Sequence, residues 1–377
     1  MAFQIKVRRD SAADWISANS TLGAGEFGLE TDTEKLKIGD GSTAWNDLQY
    51  ITGDDATALT LIVQGSSYGY TTGGTSNPAG SINSTQSLTQ ILQFSFTSDG
   101  NATDIGDINP AVPLGRVASS SQTSSTHGYQ SGGLYHPPTT LGTNNIQKWS
   151  FSSPYDGSDI GDLTVPVFRP YGSSSPTDGY SSGGRGGSPL SAQNVHDKFP
   201  FASDGNASDV GDLTVAKYTA GGNSSDVASY IAGGTNGSLY NVIEKIPFAS
   251  GGTATDVGDL LSTHTDGGNA NTTEYGYVVG GSNGGYTEAN LNVIQRFSYS
   301  SDGNSTDYAD LANGVHSNAG CSSTSHGYST GGTSSPAATP PGAAINVIQK
   351  FPFSTASNAT DVGDLTSILT HHSGNQN

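Results

Sequence analysis

After about residue 58 the chain passes six times through one succession of features, and this period near fifty residues limits the possible folds more than anything else in it. Each copy has a Gly-Gly doublet, an apolar run closed by an aromatic, and a carboxylate motif of the Asp-x-Gly-Asp kind. The doublets stand at Gly73-Gly74, Gly132-Gly133, Gly183-Gly184, Gly233-Gly234, Gly280-Gly281 and Gly331-Gly332, at spacings of 59, 51, 50, 47 and 51. The carboxylate motifs begin at Asp104, Asp159, Asp209, Asp256, Asp307 and Asp361, at spacings of 55, 50, 47, 51 and 54. A repeat of this length is one supersecondary unit that buries its faces only against its neighbours. With 52 glycines and little Glu or Lys, the unit is built from short strands and turns, not long helices.

Each repeat offers four strands. Strand A is a small-residue stretch such as Ser317–Ser323, and strand B is the Gly-Tyr segment that ends in the doublet. Strand C is the apolar run (Ile91–Phe96, Ile146–Phe151, Val195–Phe201, Val242–Phe248, Val293–Tyr299, Val347–Phe353), and strand D carries the carboxylates. Four short strands per ~50 residues is the pattern of a β-propeller blade. Either Thr60–Ser67 or the tail His371–Asn377 can supply the first strand A. The tail is preferred, because it would clasp the first blade and close the ring.

Net charge is −19, from 14 basic and 33 acidic residues. The first 50 residues contribute −3, leaving −16 for the repeats, a surface that repels phosphate backbones and argues against nucleic acid as a partner. The single cysteine, Cys321, excludes an intrachain disulfide and a cysteine-cluster metal site. No run of ~18 apolar residues is present and the start lacks a signal-peptide core, so neither membrane insertion nor classical secretion is expected.

The first fifty residues differ from the repeats. Phe3–Val7 alternates as a strand, Ala12–Ala18 reads as a short helix behind Ser11, and Glu26–Thr31 and Lys35–Ile38 read as two further strands. The run Gly25–Thr33 (GEFGLETDT), followed by Lys35–Leu48 (KLKIGDGSTAWNDL), resembles the N-terminal module of bacteriophage tail-fibre and receptor-binding proteins. It is similar to the N-terminal domain of the major tropism determinant family over roughly residues 3–50. The resemblance implies a virion protein, located in a tail fibre or another surface appendage. It also implies that this module mediates attachment to other virion proteins or trimer contacts, with Trp15, Phe27, Ile38 and Trp45 as its contact residues. So small a module buries little core alone and is expected to dock or oligomerise.

The order of features in the repeats resembles kelch, in which a Gly doublet ends the second strand and an aromatic closes the third. Strand D departs from that pattern, with Ile105, Ile160, Val210, Val257, Tyr308 and Val362 where kelch has Trp. The expected fold is therefore all-β: a six-bladed kelch-like β-propeller at 59–377, a linker at 52–58, and a small β-rich module with one short helix at 1–51.

Three residue sets are candidates for chemistry. The paired carboxylates suggest calcium. However, Lys148, Lys198, Lys245, Arg296 and Lys350 recur on strand C, where antiparallel pairing would set cation against carboxylate, and a bulge at the intervening glycine would turn both carboxylates outward. A structural role is therefore expected, with no metal and no cofactor. Before each strand A stands a basic residue or histidine (Arg116, Arg169, Lys217, His264, His316, His371). These six could ring a channel mouth and bind a glycan carboxylate or phosphate, or they could bridge neighbouring blades. The loops after the doublets vary most and carry Tyr135, His136, Arg185, Tyr240 and Tyr286, side chains suited to recognition. No GxSxG, HExxH or phosphate loop occurs, so no catalytic residue and no enzyme is expected. The expected function is host attachment by a homotrimeric phage fibre that recognises a surface glycan or protein receptor. The alternatives are a glycan-degrading tailspike-type hydrolase and a head-decoration fibre without a specific ligand.

Overall fold

The computed structural model describes residues 8–33, 35–51, 64–78, 87–110, 115–135, 142–187, 189–284, 290–334 and 342–377. The chain divides into two compact units, Met1–Thr60 and Leu61–Asn377. The proposed linker at 52–58 and the strand read at Phe3–Val7 lie outside the described residues.

In the first unit, β1 (Arg8–Asp10), β2 (Phe27–Glu30), β3 (Leu36–Ile38) and β4 (Tyr50–Ile51) form one sheet in chain order, with β1 parallel to β2 and the others antiparallel. The helix α1 spans Ala12–Ala18 as read from the sequence, with the Ser11 side chain capping the Asp14 N–H. Trp15 and Trp45 stack at 4.1 Å over the fully buried Leu22. Both tryptophans are therefore interior to this unit, and two large rings are what gives so small a module a core. Phe27 and Ile38 are cross-strand partners and each is 40% exposed, so these two do present a surface. The ammonium of Lys37 is buried, donating to the Trp45 carbonyl at 2.7 Å over the rings of Trp45 and Tyr50.

The second unit is all-β. Its repeats form small antiparallel sheets, six of which carry strands in the order A-B-C-D. Strand A is Ser373–Gln376 in sheet 1, then Ser120–Thr123, Tyr171–Ser174, Gly221–Ser224, Gly268–Asn271 and Ala319–Ser322 in sheets 2 to 6. The first of these comes from the C-terminal tail and pairs with Tyr68–Thr72, so the tail supplies the first strand A.

Four sets of contacts join each sheet to the next, and each set returns from the sixth sheet to the first. Innermost, backbone N–H groups of Ala118, Arg169, Thr219, Asp266, Ser317 and His371 each donate to the carbonyl of the preceding member at 2.6–3.3 Å, and Ala118 donates to His371. Next, the second glycine of every doublet donates across to the following repeat, to the carbonyls of Arg116, Val167, Lys217, His264, Val315 and Leu369 at 2.7–3.0 Å. The doublets have positive φ, and a Cβ on the first glycine would stand 2.4–2.9 Å from those same carbonyls. This is why the repeat needs glycine twice.

Further out, each strand-B tyrosine packs on the next sheet's strand-C aromatic: Tyr70 on Phe151, Tyr129 on Phe201, Tyr180 on Phe248, Tyr230 on Tyr299, Tyr277 on Phe353 and Tyr328 on Phe96. The centroid separations are 4.7–5.0 Å. Such pairs add ~0.5–1.5 kcal/mol beyond the area they bury. Outermost, the second carboxylate residue of each motif is latched by the following sheet's C–D loop. Its carbonyl accepts from Gly157, Ala207, Ala254, Ser305, Ala359 or Ala102 at 2.7–2.8 Å. Its N–H meets the side-chain oxygen of Asp156, Asn206, Asn304, Asn358 or Asn101 at 3.0–3.1 Å in five of the six copies.

The bulge read at the carboxylate motif is present, with register shifting opposite strand C in every sheet. The expected pairing of cation with strand D is corrected. Lys148, Lys245 and Lys350 lie opposite Ser158, Thr255 and Thr360, and their ammonium groups reach past the sheet edge to Asp204, Asp302 and Asp99 in the next sheet's loop. A four-carbon stem spans that gap, whereas the strand-D carboxylate turns back to the N–H of its own glycine. Where the next loop lacks the leading aspartate, the cation goes elsewhere: Lys198 to Asp178, and Arg296 onto the rings of Tyr275 and Tyr308.

Candidate functional site

The six residues expected to form one ring fall into different registers of the repeat. Arg116, Lys217 and His264 occupy the doublet-accepting position, whose other members are Val167, Val315 and Leu369. All three are buried. Arg116 donates to the carbonyls of Gln130 and Asn145 and to the Tyr135 hydroxyl at 2.9–3.1 Å. Lys217 pairs with the equally buried Glu244 at 2.7 Å, and His264 Nε2 bonds the Gly280 carbonyl at 2.7 Å. Burial pulls all three below their ordinary pKa, opposed at Lys217 by Glu244. They bridge sheets, and the reading of them as mouth residues is corrected.

Arg169 and His371 belong to the inner hydrogen-bonded ring, and His316 directly precedes another member, Ser317. A cavity of about 180 Å³ is lined by the strands A of all six sheets, and Arg169, Asp266, Ser317 and His371 border it. Arg169 stands 3.7 Å from Asp266 and its Nη2 is 3.3 Å from His371 Nε2, which is also 3.1 Å from Ser317 Oγ. His316 Nδ1 completes the network, 2.9 Å from the same hydroxyl. Burial lowers both imidazoles, with Arg169 adding to the effect, so at neutral pH the cluster carries one positive and one negative charge.

Beyond Ser317, the neighbours that the sequence reading missed are Asp266 and Thr219, because it selected cations alone. The overlooked signal is the offset of Arg169 and His371 from Arg116, Lys217 and His264 relative to strand A. The six ring residues all have φ of 53–59°, and none is glycine. A side chain held in that region costs on the order of 1 kcal/mol or more.

Of the loop residues, Tyr135 lies under the Arg116 guanidinium, Arg185 over the ring of Tyr218, and Lys217 Nζ is 5.9 Å from the Tyr240 ring centroid. Each is partly buried. His136 and Tyr286 lie outside the described residues. Among the described residues no group of three His, Cys, Asp or Glu is placed to hold a metal ion.

The remaining observation comes from the first unit. Residues 5–43 match the major tropism determinant N-terminal domain. That match supports a virion-associated phage protein of the tropism or receptor-binding class. No curated protein matches the chain.

Proposed function

We propose that this chain is a homotrimeric phage tail-fibre or receptor-binding protein whose N-terminal unit attaches to the virion. Its repeats would form a six-bladed kelch-like β-propeller that recognises a host-surface receptor without catalysis. The match at residues 5–43 carries the functional reading. The four cyclic sets of contacts, each returning from the sixth sheet to the first, support six closed blades. The exposed Phe27–Ile38 pair supports a contact surface on the N-terminal unit. In a ring of this kind the strand-A starts and the loops after the doublets would lie on one face, so the Arg169–Asp266 cluster would share a face with Tyr135, Arg185 and Tyr240.

The test is binding of the fluorescently labelled 377-residue protein to a panel of bacterial strains, alongside sedimentation to count chains. Saturable binding to some strains and a threefold mass are expected. Binding to no strain overturns the receptor reading, and shortened surface polysaccharide after incubation overturns the non-catalytic one.

A further inference from the structure

The cavity between the six strands A has features that sheet closure alone does not require. Closure uses only backbone N–H and carbonyl groups at the six ring positions, and glycine would serve there with less strain. The chain has 52 glycines and places two in every doublet, yet keeps Arg, Asp, Ser, Thr, Ala and His at the ring. Side chains are held at the cavity against the backbone's preference, which points from strain to function.

Their chemistry narrows the ligand. The wall also includes Ser121 and Asn269, so the lining is mostly hydroxyl, amide and bare backbone, with only small apolar patches such as Ala118, Pro170 and Ala319 for an apolar molecule to pack against. The charges of Arg169 and Asp266 offset each other, so an incoming anion or cation finds no net counter-charge. What the walls offer is an alternation of acceptors (carboxylate, hydroxyl, imidazole) and donors (guanidinium, hydroxyl, amide). The Asp266 and Arg169 side chains remain 14% and 9% exposed, so solvent reaches this end. A space of about 180 Å³ is large enough for one sugar ring.

We propose that this cavity binds a single neutral hexose unit, the terminal residue of a surface glycan, with Asp266 accepting from two ring hydroxyls and Arg169 donating to a third oxygen. Ser317, Ser121 and Asn269 complete the polar lining, and His371 holds the guanidinium in place. This rests on the receptor-binding reading and names the ligand class for it.

The test is titration of the full-length protein with methyl glycosides of glucose, galactose, mannose and N-acetylglucosamine, and with glucuronic and N-acetylneuraminic acids, followed by saturation-transfer NMR. Two variants probe the site from different sides. Asp266→Asn removes the carboxylate while keeping a residue that tolerates positive φ, and Ser121→Leu fills the cavity without altering the cluster. Thermal melts establish that both fold. At least one neutral glycoside is expected to bind, and each variant is expected to weaken it tenfold or more. Three results overturn the proposal: no neutral glycoside binds, only the acids bind, or Ser121→Leu binds a neutral glycoside as wild type does. Cell binding separates the two readings. If Ser121→Leu binds bacteria as well as wild type does, the receptor reading stands and the axial site falls. If wild type binds no bacteria, the receptor reading itself fails.

Discussion

The buried pair Lys217–Glu244 allows a sharp test of how the sheets are joined. Both side chains are at most 1% exposed, 2.7 Å apart, and Glu244 also accepts from the N–H and hydroxyl of Thr214. At the corresponding positions the sixth repeat has Val315 with Gln349, whose carbonyl oxygen accepts the Asn313 N–H at 3.1 Å in the same way. Glu244→Gln alone preserves the shape and the Thr214 bonds but strands a buried ammonium, a loss of ~3–5 kcal/mol. For a unit of this size that corresponds to a fall in Tm of about 4–8 °C. The double variant Lys217→Val with Glu244→Gln imports a pairing already in use in the same fold and should recover most of the loss. The coupling between the two sites would be about 3 kcal/mol. The assay is thermal and denaturant unfolding of wild type, both single variants and the double. If Glu244→Gln alone stays within about 1 kcal/mol of wild type, or the double variant is no better than it, the account of this position as an inter-sheet bridge is refuted.

Three other outcomes are expected. Asn101→Ala removes the acceptor for the Asp364 N–H where the last sheet meets the first and should cost about 1 kcal/mol, whereas Lys350→Gln, which loses a solvent-exposed pairing with Asp99, should cost about 0.5 kcal/mol or less; chemical denaturation compares them. Tyr328→Ala empties the aromatic joint between the same two sheets and should cost ~3–5 kcal/mol, with limited proteolysis releasing the C-terminal tail earlier than in wild type. Burial holds His196 at about 4 and His372 at about 3, so the unfolded chain takes up these protons first as pH falls. Stability is full above pH ~6.5 and lost progressively down to those values, by roughly 2 kcal/mol for each between pH 7 and 5; His372→Asn should flatten part of that slope in melts across the range.

The period, the strand order and the bulge were readable from the residues because each is a local demand. A doublet answers a positive-φ turn, alternation answers a half-buried strand, and Asp-x-Gly-Asp answers a strand that must break parity. The N-terminal motif was equally legible, since Gly25–Leu48 is one contiguous string. Partners were not. Lys148 finds Asp204 and Lys350 finds Asp99, 56 and 251 positions away, because the next sheet's loop lies nearer than the facing strand once the sheets are packed. The six basic and imidazole residues looked equivalent along the chain, yet a two-residue offset sends Arg116, Lys217 and His264 between sheets and Arg169 and His371 to the cavity lined by the strands A. Linear spacing counts residues, whereas burial and the meeting of Arg169 with Asp266 depend on which side of strand A each backbone passes. Only the closed set of inter-sheet contacts settles that.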